Sequence, residues 1–408
     1  MFNQSYFMEK KYIKFIVIII IFALVIFEIS LHITKNSNHD NNENLNNNSN
    51  NDNNKKEQND LLSISNDVIS LNSSKIDKLS NYLKKHNNVD DITGLKIENN
   101  KFILELNDTL SNDITFVTKY LLIYDIDKDE VKEIKYNGNN RIWDVAIFNG
   151  KIYYSCINYD SKDDKTYFKI IESDLNLKNE KTLEHGQVSN ALFSPKLISS
   201  SNTLFYTLVD DYVDSNNSYS KFEIKMLDSN SNISKIASGF FDYGNQTGTT
   251  FTSMNMFKYY NNNLYYETYN NGVAKINAYN IQEKTTNCIY SYEIKEDDYV
   301  INDFYDSENY KFYTYLMQNQ NDIGGASYYN DEKKIEVPIS EYKNITRLDD
   351  NLYFISSMNK IYLLDTEDNK LNKVSINPFL NRFYEPSNSE IIGVDYNTDD
   401  FYLIEIKK

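Results

Sequence analysis

Arginine is rare in this 408-residue chain, and its three positions are consistent with an anion-binding site. Arg141, Arg347 and Arg382 each fall where the sequence predicts the start of an innermost strand of a repeated sheet. A guanidinium group binds carboxylate or phosphate through two parallel hydrogen bonds, which a lysine ammonium cannot do. Strand starts that meet at one mouth of a central channel would form a shared anion site.

The alternative is that each arginine binds a carboxylate of a neighbouring repeat and stabilises the fold. Acidic residues lie near the arginines in the repeat pattern, and interfaces between packed elements are where arginine ion pairs commonly occur. Both interpretations use one set of candidate residues. They are Arg141, Asp144, Asp303, Arg347, Arg382 and Glu385.

Other chemistry finds little support in the sequence. Beyond the N-terminal 60 residues the histidines are His86 and His185, and neither has ligands at zinc spacing. The nucleophile motif G-x-S-x-G does not occur. The acidic stretch Asp125–Asp129 lacks the glycine and glutamate of a calcium loop, with Tyr136 at the twelfth position. We therefore predict no catalytic residue, no metal site and no cofactor.

One sequence motif recurs seven times. It is a polar turn rich in Asn, Asp or Gly, followed by a strand of aromatic and aliphatic residues. The copies begin at Asn100, Gly150, Asn202, Asn263, Asn309, Asn351 and Ser389. Intervals of about 40 to 60 residues match the length of one four-stranded propeller blade. The sequence predicts an all-β, seven-bladed β-propeller over residues 91–408, with six or eight blades as alternatives.

The last repeat lacks its outermost strand, because the chain ends after Phe401–Ile406. Propellers avoid an open edge by borrowing a strand from the other terminus, and Leu61–Leu71 is the predicted donor. Residues 61–90 would thus hold a closing strand and one short amphipathic helix. The helix is predicted from Ser74 to His86, with Ser74 as its cap.

The N-terminus has the features of a membrane anchor. Lysines precede an apolar segment, Tyr12–Ile33, which has the length of a spanning helix. The lysines predict that residues 1–11 stay in the cytoplasm and that the rest is extracytoplasmic. A cleaved signal peptide is the alternative, although no small-x-small cleavage site follows. Residues 34–60, rich in Asn and Asp, are predicted to be a disordered linker.

The net charge indicates which classes of partner are excluded, and the cysteine content indicates whether a disulfide is expected. The formal net charge is −17, without a basic stripe, which argues against nucleic acid as a partner. The membrane, reached through the N-terminal helix, and a protein or glycan ligand are the predicted partners. Cys156 and Cys288 fall in different repeats, which favours two free thiols over a disulfide.

Two short strands resemble those of a known group of proteins. Gly150–Ser155 and Lys360–Asp365 resemble the repeats of uncharacterised propeller-like proteins that low-GC Gram-positive bacteria export. The resemblance implies a propeller outside the cytoplasm and brings no activity with it. The sequence thus predicts a membrane-anchored binding or scaffold module for a protein, peptide or envelope polymer. The alternative is an envelope-directed lyase or hydrolase with an acidic funnel site.

Overall fold

A computed structural model describes most of the chain from residue 60 onward. The described residues are 60–86, 89, 91–98, 100–109, 116–160, 165–188, 194–214, 217–242, 257–270, 273–293, 299–306, 310–317, 323–330, 333–339, 342–357, 360–378, 380, 382–384, 390–395, 398 and 400–406. The predicted tail (1–11), membrane helix (12–33) and residues 34–59 of the predicted linker lie outside them. In the described part, no helix combines the length and apolar character that crossing a membrane requires.

The described chain is built almost entirely of β-strands. They are β1 (Asp60–Leu61), β2 (Ile64–Lys75), β3 (Asp91–Glu98), β4 (Lys101–Thr109), β5 (Phe116–Asp125), β6 (Glu130–Lys135), β7 (Arg141–Phe148), β8 (Lys151–Asp160), β9 (Lys165–Ser173), β10 (Lys181–Val188), β11 (Leu197–Ser199), β12 (Thr203–Asp214), β13 (Asn217–Asp228), β14 (Ile233–Asp242), β15 (Phe257–Tyr260), β16 (Asn263–Asn270), β17 (Val273–Asn280), β18 (Thr285–Glu293), β19 (Tyr299–Asp306), β20 (Tyr310–Met317), β21 (Ile323–Asn330), β22 (Lys333–Glu336), β23 (Tyr342–Arg347), β24 (Leu352–Ser357), β25 (Lys360–Asp365), β26 (Lys370–Ile376), β27 (Arg382–Tyr384), β28 (Glu390–Asp395) and β29 (Asp400–Glu405).

After β2, the described strands fall into consecutive antiparallel groups in which each strand pairs with the next along the chain. The first four groups are separate four-stranded sheets, β3–β6, β7–β10, β11–β14 and β15–β18. The fifth is β19–β22, the sixth β23–β26 and the seventh β27–β29. The fifth and sixth groups are paired with each other, and β2 joins the sixth to the seventh, in one larger sheet that also contains β1.

The repeated sequence motif forms the second strand of every described group. The conformation of its turn explains why asparagine recurs at the start of the motif. Asn100 (φ 56°), Asn149 (φ 50°) and Asn262 (φ 59°) adopt the left-handed conformation just before or within these turns. Asparagine tolerates that conformation better than other residues with a Cβ, apart from aspartate, so it fixes tight reversals between adjacent strands.

Aromatic side chains along each second strand alternate between the two neighbouring groups. In the second group, Tyr154 packs against the first group and Tyr153 against the third. The same alternation places Tyr266 against the third group and Tyr265 against the fifth. Because both faces of each group are covered, no group buries its apolar surface alone.

The groups close into a ring. Among the described residues, buried apolar side chains form seven clusters, each joining neighbouring groups. One cluster contains Phe102 of the first group together with Ile392 and Phe401 of the seventh. The innermost strand β27 also contacts β3, which in turn contacts β7. The described fold is therefore all-β and propeller-like.

The N-terminal strands run along the outer edges of the last three groups. β1 pairs in parallel with β22, and Ile64–Leu71 of β2 pairs in parallel with β26. Only Asn72–Lys75, the end of β2, pairs antiparallel with β29 and completes the seventh group. The strand that closes the ring thus lies just after the predicted Leu61–Leu71, whose residues bind the fifth and sixth groups instead.

A short helix covers the junction of the first and seventh groups. Helix α1 spans Asp77–Leu83 and continues as a 3-10 turn, Lys84–His86. Leu79 and Leu83 are buried in the cluster between the two groups, and the Ser80 hydroxyl accepts a hydrogen bond from the Phe401 amide at 3.1 Å. The predicted cap is wrong, since Ser74 belongs to β2 and the helix has no side-chain cap.

Candidate functional site

The arginines do not share one rim of the ring. Arg141 and Arg382 begin β7 and β27, whereas Arg347 is the last residue of β23. Innermost strands run in one direction around a propeller, so their starts and ends lie at opposite rims. The prediction that Arg347 starts an innermost strand is therefore wrong. The acidic turn that follows Arg347 is the local signal that ends this strand.

Arg141 binds a buried carboxylate of the first group. Its Nε lies 3.4 Å from Oε2 of Glu105, which is fully buried. The guanidinium also lies over the rings of Phe116, at 5.6 Å, and Trp143, at 5.1 Å. Burial raises the pKa of Glu105, although hydrogen bonds from Thr118 and the charge of Arg141 oppose the rise. Arg141 thus joins the first two groups as an ion-pair clamp.

Asp144 joins three innermost strands. Its carboxylate lies 2.7 Å from the Lys96 ammonium of β3 and accepts the Leu197 amide of β11 at 2.8 Å. Nearby, Glu98 accepts the amides of Ile147 and Ser199, at 3.0 and 2.6 Å. These carboxylates satisfy backbone donors at the strand ends, where sheet hydrogen bonds stop.

Arg347 is also fully engaged. Its guanidinium lies 2.5 Å from Oδ1 of Asp350, donates to the Asp306 carbonyl at 3.3 Å and stacks 4.2 Å from the Tyr260 ring centroid. The Tyr260 hydroxyl donates to the same Asp350 oxygen at 3.0 Å. These contacts connect the ends of β15, β19 and β23.

Fewer contacts are described for the remaining candidates, Arg382, Asp303 and Glu385. The guanidinium of Arg382 lies 5.0 Å from the Tyr384 ring. Asp303 pairs with Thr314 in β19, but its side chain is not among those described, and Glu385 lies outside the described residues. Within the described part, Arg141 and Arg347 therefore bind different carboxylates at different rims.

A buried polar residue recurs at one position that the sequence analysis did not single out. It is the fifth residue of the second strand in six of the seven described groups, and in the seventh group this residue is Val394. The six are Glu105, Ser155, Thr207, Glu267, Thr314 and Ser356. Counting residues from each polar turn in the sequence would have shown that this position recurs.

Two of these six residues are glutamates, and the pKa of Glu267 is shifted more than that of Glu105. Burial raises its pKa to about 7, and the Tyr292 hydroxyl, which donates to Oε1 at 2.5 Å, opposes the rise. Unlike Glu105, Glu267 has no cation partner among the described residues. Its carboxyl therefore titrates near neutrality rather than in the usual acidic range.

A cavity of about 530 Å³ opens on the second group, and we call it the second-group cavity. Its polar lining comes from the segment before β7 and from β8, β9 and β10. The polar lining residues are Asn139, Asn140, Cys156, Asn158, Lys169 and His185. Asn139, Asn158, Lys169 and His185 are exposed, and within the described chain their side chains have no ion pair or protein hydrogen bond, so these polar groups face the solvent-filled cavity.

Cys156 is a neutral thiol at the base of this lining. It is 2% exposed, and burial raises its pKa, while a hydrogen bond with Asn140 and the charge of Lys169 oppose the rise. Cys156 and Cys288 are both free, and Cys288 is exposed on β18. Within the described residues, no three His, Cys, Asp or Glu side chains come close enough to hold a metal ion.

Comparison with known proteins gives similarity of structure only. No family model and no curated protein matches the chain. A chain of the mitotic checkpoint complex is similar over 78% of this chain and 92% of its own, with 8% identity and a TM-score of 0.43. Oligogalacturonate lyase in complex with manganese matches 77% of this chain and 89% of its own, with 9% identity and a TM-score of 0.42. The AfRom2 CNH domain matches 78% of this chain and 99% of its own, with 8% identity and a TM-score of 0.41. All three TM-scores lie below 0.5, so the description of the fold rests on the strand pairing of this chain.

Proposed function

We propose that this protein is a membrane-anchored, extracytoplasmic binding module, a seven-bladed propeller that holds a protein, peptide or envelope polymer. The second-group cavity is its binding site. The observation that carries the proposal is the polar lining of this cavity, which brings three asparagines, a lysine and a histidine together. A cavity of about 530 Å³ falls within the range of small-molecule sites, roughly 300–1,000 Å³.

The seven described groups support the proposed count of seven blades. Each group corresponds to one blade, and Asn72–Lys75 supplies the fourth strand of the last. The seven apolar clusters, one at each junction between groups, support the same count. The anchor is inferred from the apolar segment Tyr12–Ile33 and the lysines before it.

The contrast with the rims supports the cavity as the site. At the rims, the charges of Arg141, Lys96 and Arg347 are each matched by a carboxylate within 3.4 Å. Such pairs stabilise the ring and leave little capacity for a ligand. At the cavity, by contrast, the exposed side chains of Asn158, Lys169 and His185 have no protein partner in the described chain, so they are free to contact a ligand.

Site-specific photo-crosslinking tests the proposal. A photoreactive residue replaces Asn158 in the full-length protein, which is then irradiated in its native membranes. We expect a discrete adduct, because Asn158 lines the cavity. Thr182, exposed at the other end of the same group, is the matched control position. Adducts of equal yield at both positions, or none at position 158, would contradict the proposal.

An envelope-directed lyase or hydrolase is the second candidate. The pKa of Glu267, about 7, would suit a general acid or base, but this carboxyl is buried and does not line the second-group cavity. Turnover of envelope glycans or peptides by the full-length protein separates the two functions. A binding module retains the cavity adduct and releases no product.

A further inference from the structure

One row of side chains crosses the second-group cavity. In the sheet register, Cys156 of β8 lies directly opposite Lys169 of β9, which lies directly opposite His185 of β10. Directly opposite residues share one face of a sheet, with Cβ atoms about 4.5–5.5 Å apart. Lys169 therefore stands between the thiol and the imidazole on the face that lines the cavity.

Among the described residues, no ion pair neutralises the charge of this row. No Asp or Glu is among the cavity-lining residues, and within the described chain neither Lys169 nor His185 has an ion pair. Elsewhere in the same region, Lys151 lies 2.5 Å from Glu172 and Lys225 lies 2.6 Å from Glu184. Lys169 is exposed at the cavity, so its ammonium is accessible to a ligand.

The thiol does not supply the missing negative charge. Burial raises the pKa of Cys156, so the sulfur stays protonated at neutral pH and leaves the charge of Lys169 uncompensated. An anion that enters the cavity would meet the Lys169 ammonium and the His185 ring together. Hydrogen bonds that involve a charged partner are stronger than neutral ones.

The amides around this row indicate what carries the anion. Asn139, Asn140 and Asn158 each offer both a donor and an acceptor, as sugar hydroxyl groups also do. Pockets that bind small molecules or peptide anchors are mostly lined with apolar and aromatic groups. The lining also contains Tyr167 and Phe168, but its three asparagines, lysine and histidine outnumber these aromatic residues and fit a hydroxyl-rich ligand.

We propose that the second-group cavity binds an anionic saccharide, a sugar unit that bears a carboxylate or a phosphate, with Lys169 and His185 on the anionic group and the asparagines on the hydroxyls. The inference rests on the proposed function and names the ligand class of the same site. Carboxylate and phosphate share the chemistry that this row recognises, and the two are separated by experiment.

Ligand-observed NMR with the full-length protein in nanodiscs tests the inference. The probes are glucuronic acid, glucose 6-phosphate, glucose, inorganic phosphate and an acidic dipeptide. We expect at least one anionic sugar to bind more tightly than glucose and than inorganic phosphate. Lys169→Gln should weaken that binding about tenfold or more, because a charge-assisted hydrogen bond is lost. Which of the two sugars binds then identifies the anionic group.

The matched control is Lys165→Gln, which removes an exposed lysine from the start of the same strand and should leave affinity unchanged. Asn158→Ala is a second variant, expected to weaken the anionic sugar but not inorganic phosphate. Unchanged melting temperatures show that the variants fold. Equal binding of glucose, equal losses in both lysine variants, or binding of the dipeptide in place of the sugars would overturn the inference. If the crosslink at position 158 persists while no anionic sugar binds, the inference fails and the proposed function stands.

Discussion

At the residue scale, two buried glutamates show how one position acquires different properties. Glu105 and Glu267 are both the fifth residue of a second strand and are both buried. Among the residues that the structure describes, Glu105 has Arg141 as a partner, whereas Glu267 receives only the Tyr292 hydroxyl. A buried carboxylate without a cation is destabilised in its charged form. Glu267 therefore makes stability depend on pH near neutrality.

The variant Glu267→Gln tests this dependence. Because the folded-state pKa of Glu267, about 7, lies above its unfolded value, its contribution to stability is fully present at low pH and is lost as pH rises through 7. We expect the wild type to lose free energy of unfolding between pH 5 and pH 8, by an amount on the order of 2–3 kcal/mol attributable to this group. Glutamine keeps an acceptor for Tyr292 without ionising, so the variant should lose less.

Urea denaturation of the full-length protein across that pH range measures the effect. Glu293→Gln, an exposed change on the same strand as Tyr292, is the control and should behave like the wild type. Parallel pH profiles for wild type and Glu267→Gln would show that the carboxyl does not titrate as the structure indicates.

At the element scale, the N-terminal strands hold three groups together. β1 and β2 pair with β22, β26 and β29, and Leu62 between them is 7% exposed in the cluster of the fifth and sixth groups. Burial of one leucine contributes about 1.5–3 kcal/mol. The ring therefore depends on a segment that is distant in sequence from its partners.

Deletion of residues 60–75 from the full-length protein should lower the melting temperature by more than about 5 °C, because it exposes the edges of β26 and β29. Deletion of residues 37–52, an equally long part of the Asn-rich segment, is the control and should leave melting unchanged. Equal melting of both variants, followed by circular dichroism, would show that the segment does not close the ring.

The sequence indicated the second strands well because their turns carry local signals, such as Asn100 and Asn149 with positive φ. It misplaced the closing strand, because Leu61–Leu71 and Asn72–Lys75 both suit an edge and only distant pairing with β26 or β29 decides between them. The second-group cavity could not be predicted from the sequence either, because it also depends on pairing between strands. The row through Lys169 is set by register across three strands, which no local pattern specifies.

At the scale of the whole molecule, the ring and the predicted anchor have separate physical origins. The ring is stabilised by apolar clusters between groups, whereas the anchor depends on the apolar segment Tyr12–Ile33. The acidic charge of the chain opposes attraction to anionic lipids, so membrane attachment should depend on that segment alone.

Carbonate extraction of membranes tests the attachment. We expect the full-length protein to stay in the membrane pellet and a variant lacking residues 12–33 to appear in the soluble fraction. A protease added outside intact cells should digest the residues after 60, because the lysines before Tyr12 predict an extracytoplasmic domain. A full-length protein released by carbonate, or protected from the protease, would contradict the topology.

The pairing of Ser73 with Ile404 has a consequence for biogenesis. The ribosome makes β2 before its partner β29, so β2 stays without this partner while the intervening strands are translated. An unpaired strand promotes aggregation when it is apolar. The composition of β2, in which Ser, Asn, Asp and Lys outnumber the aliphatic residues, suits a segment that has to remain soluble until β29 has been made.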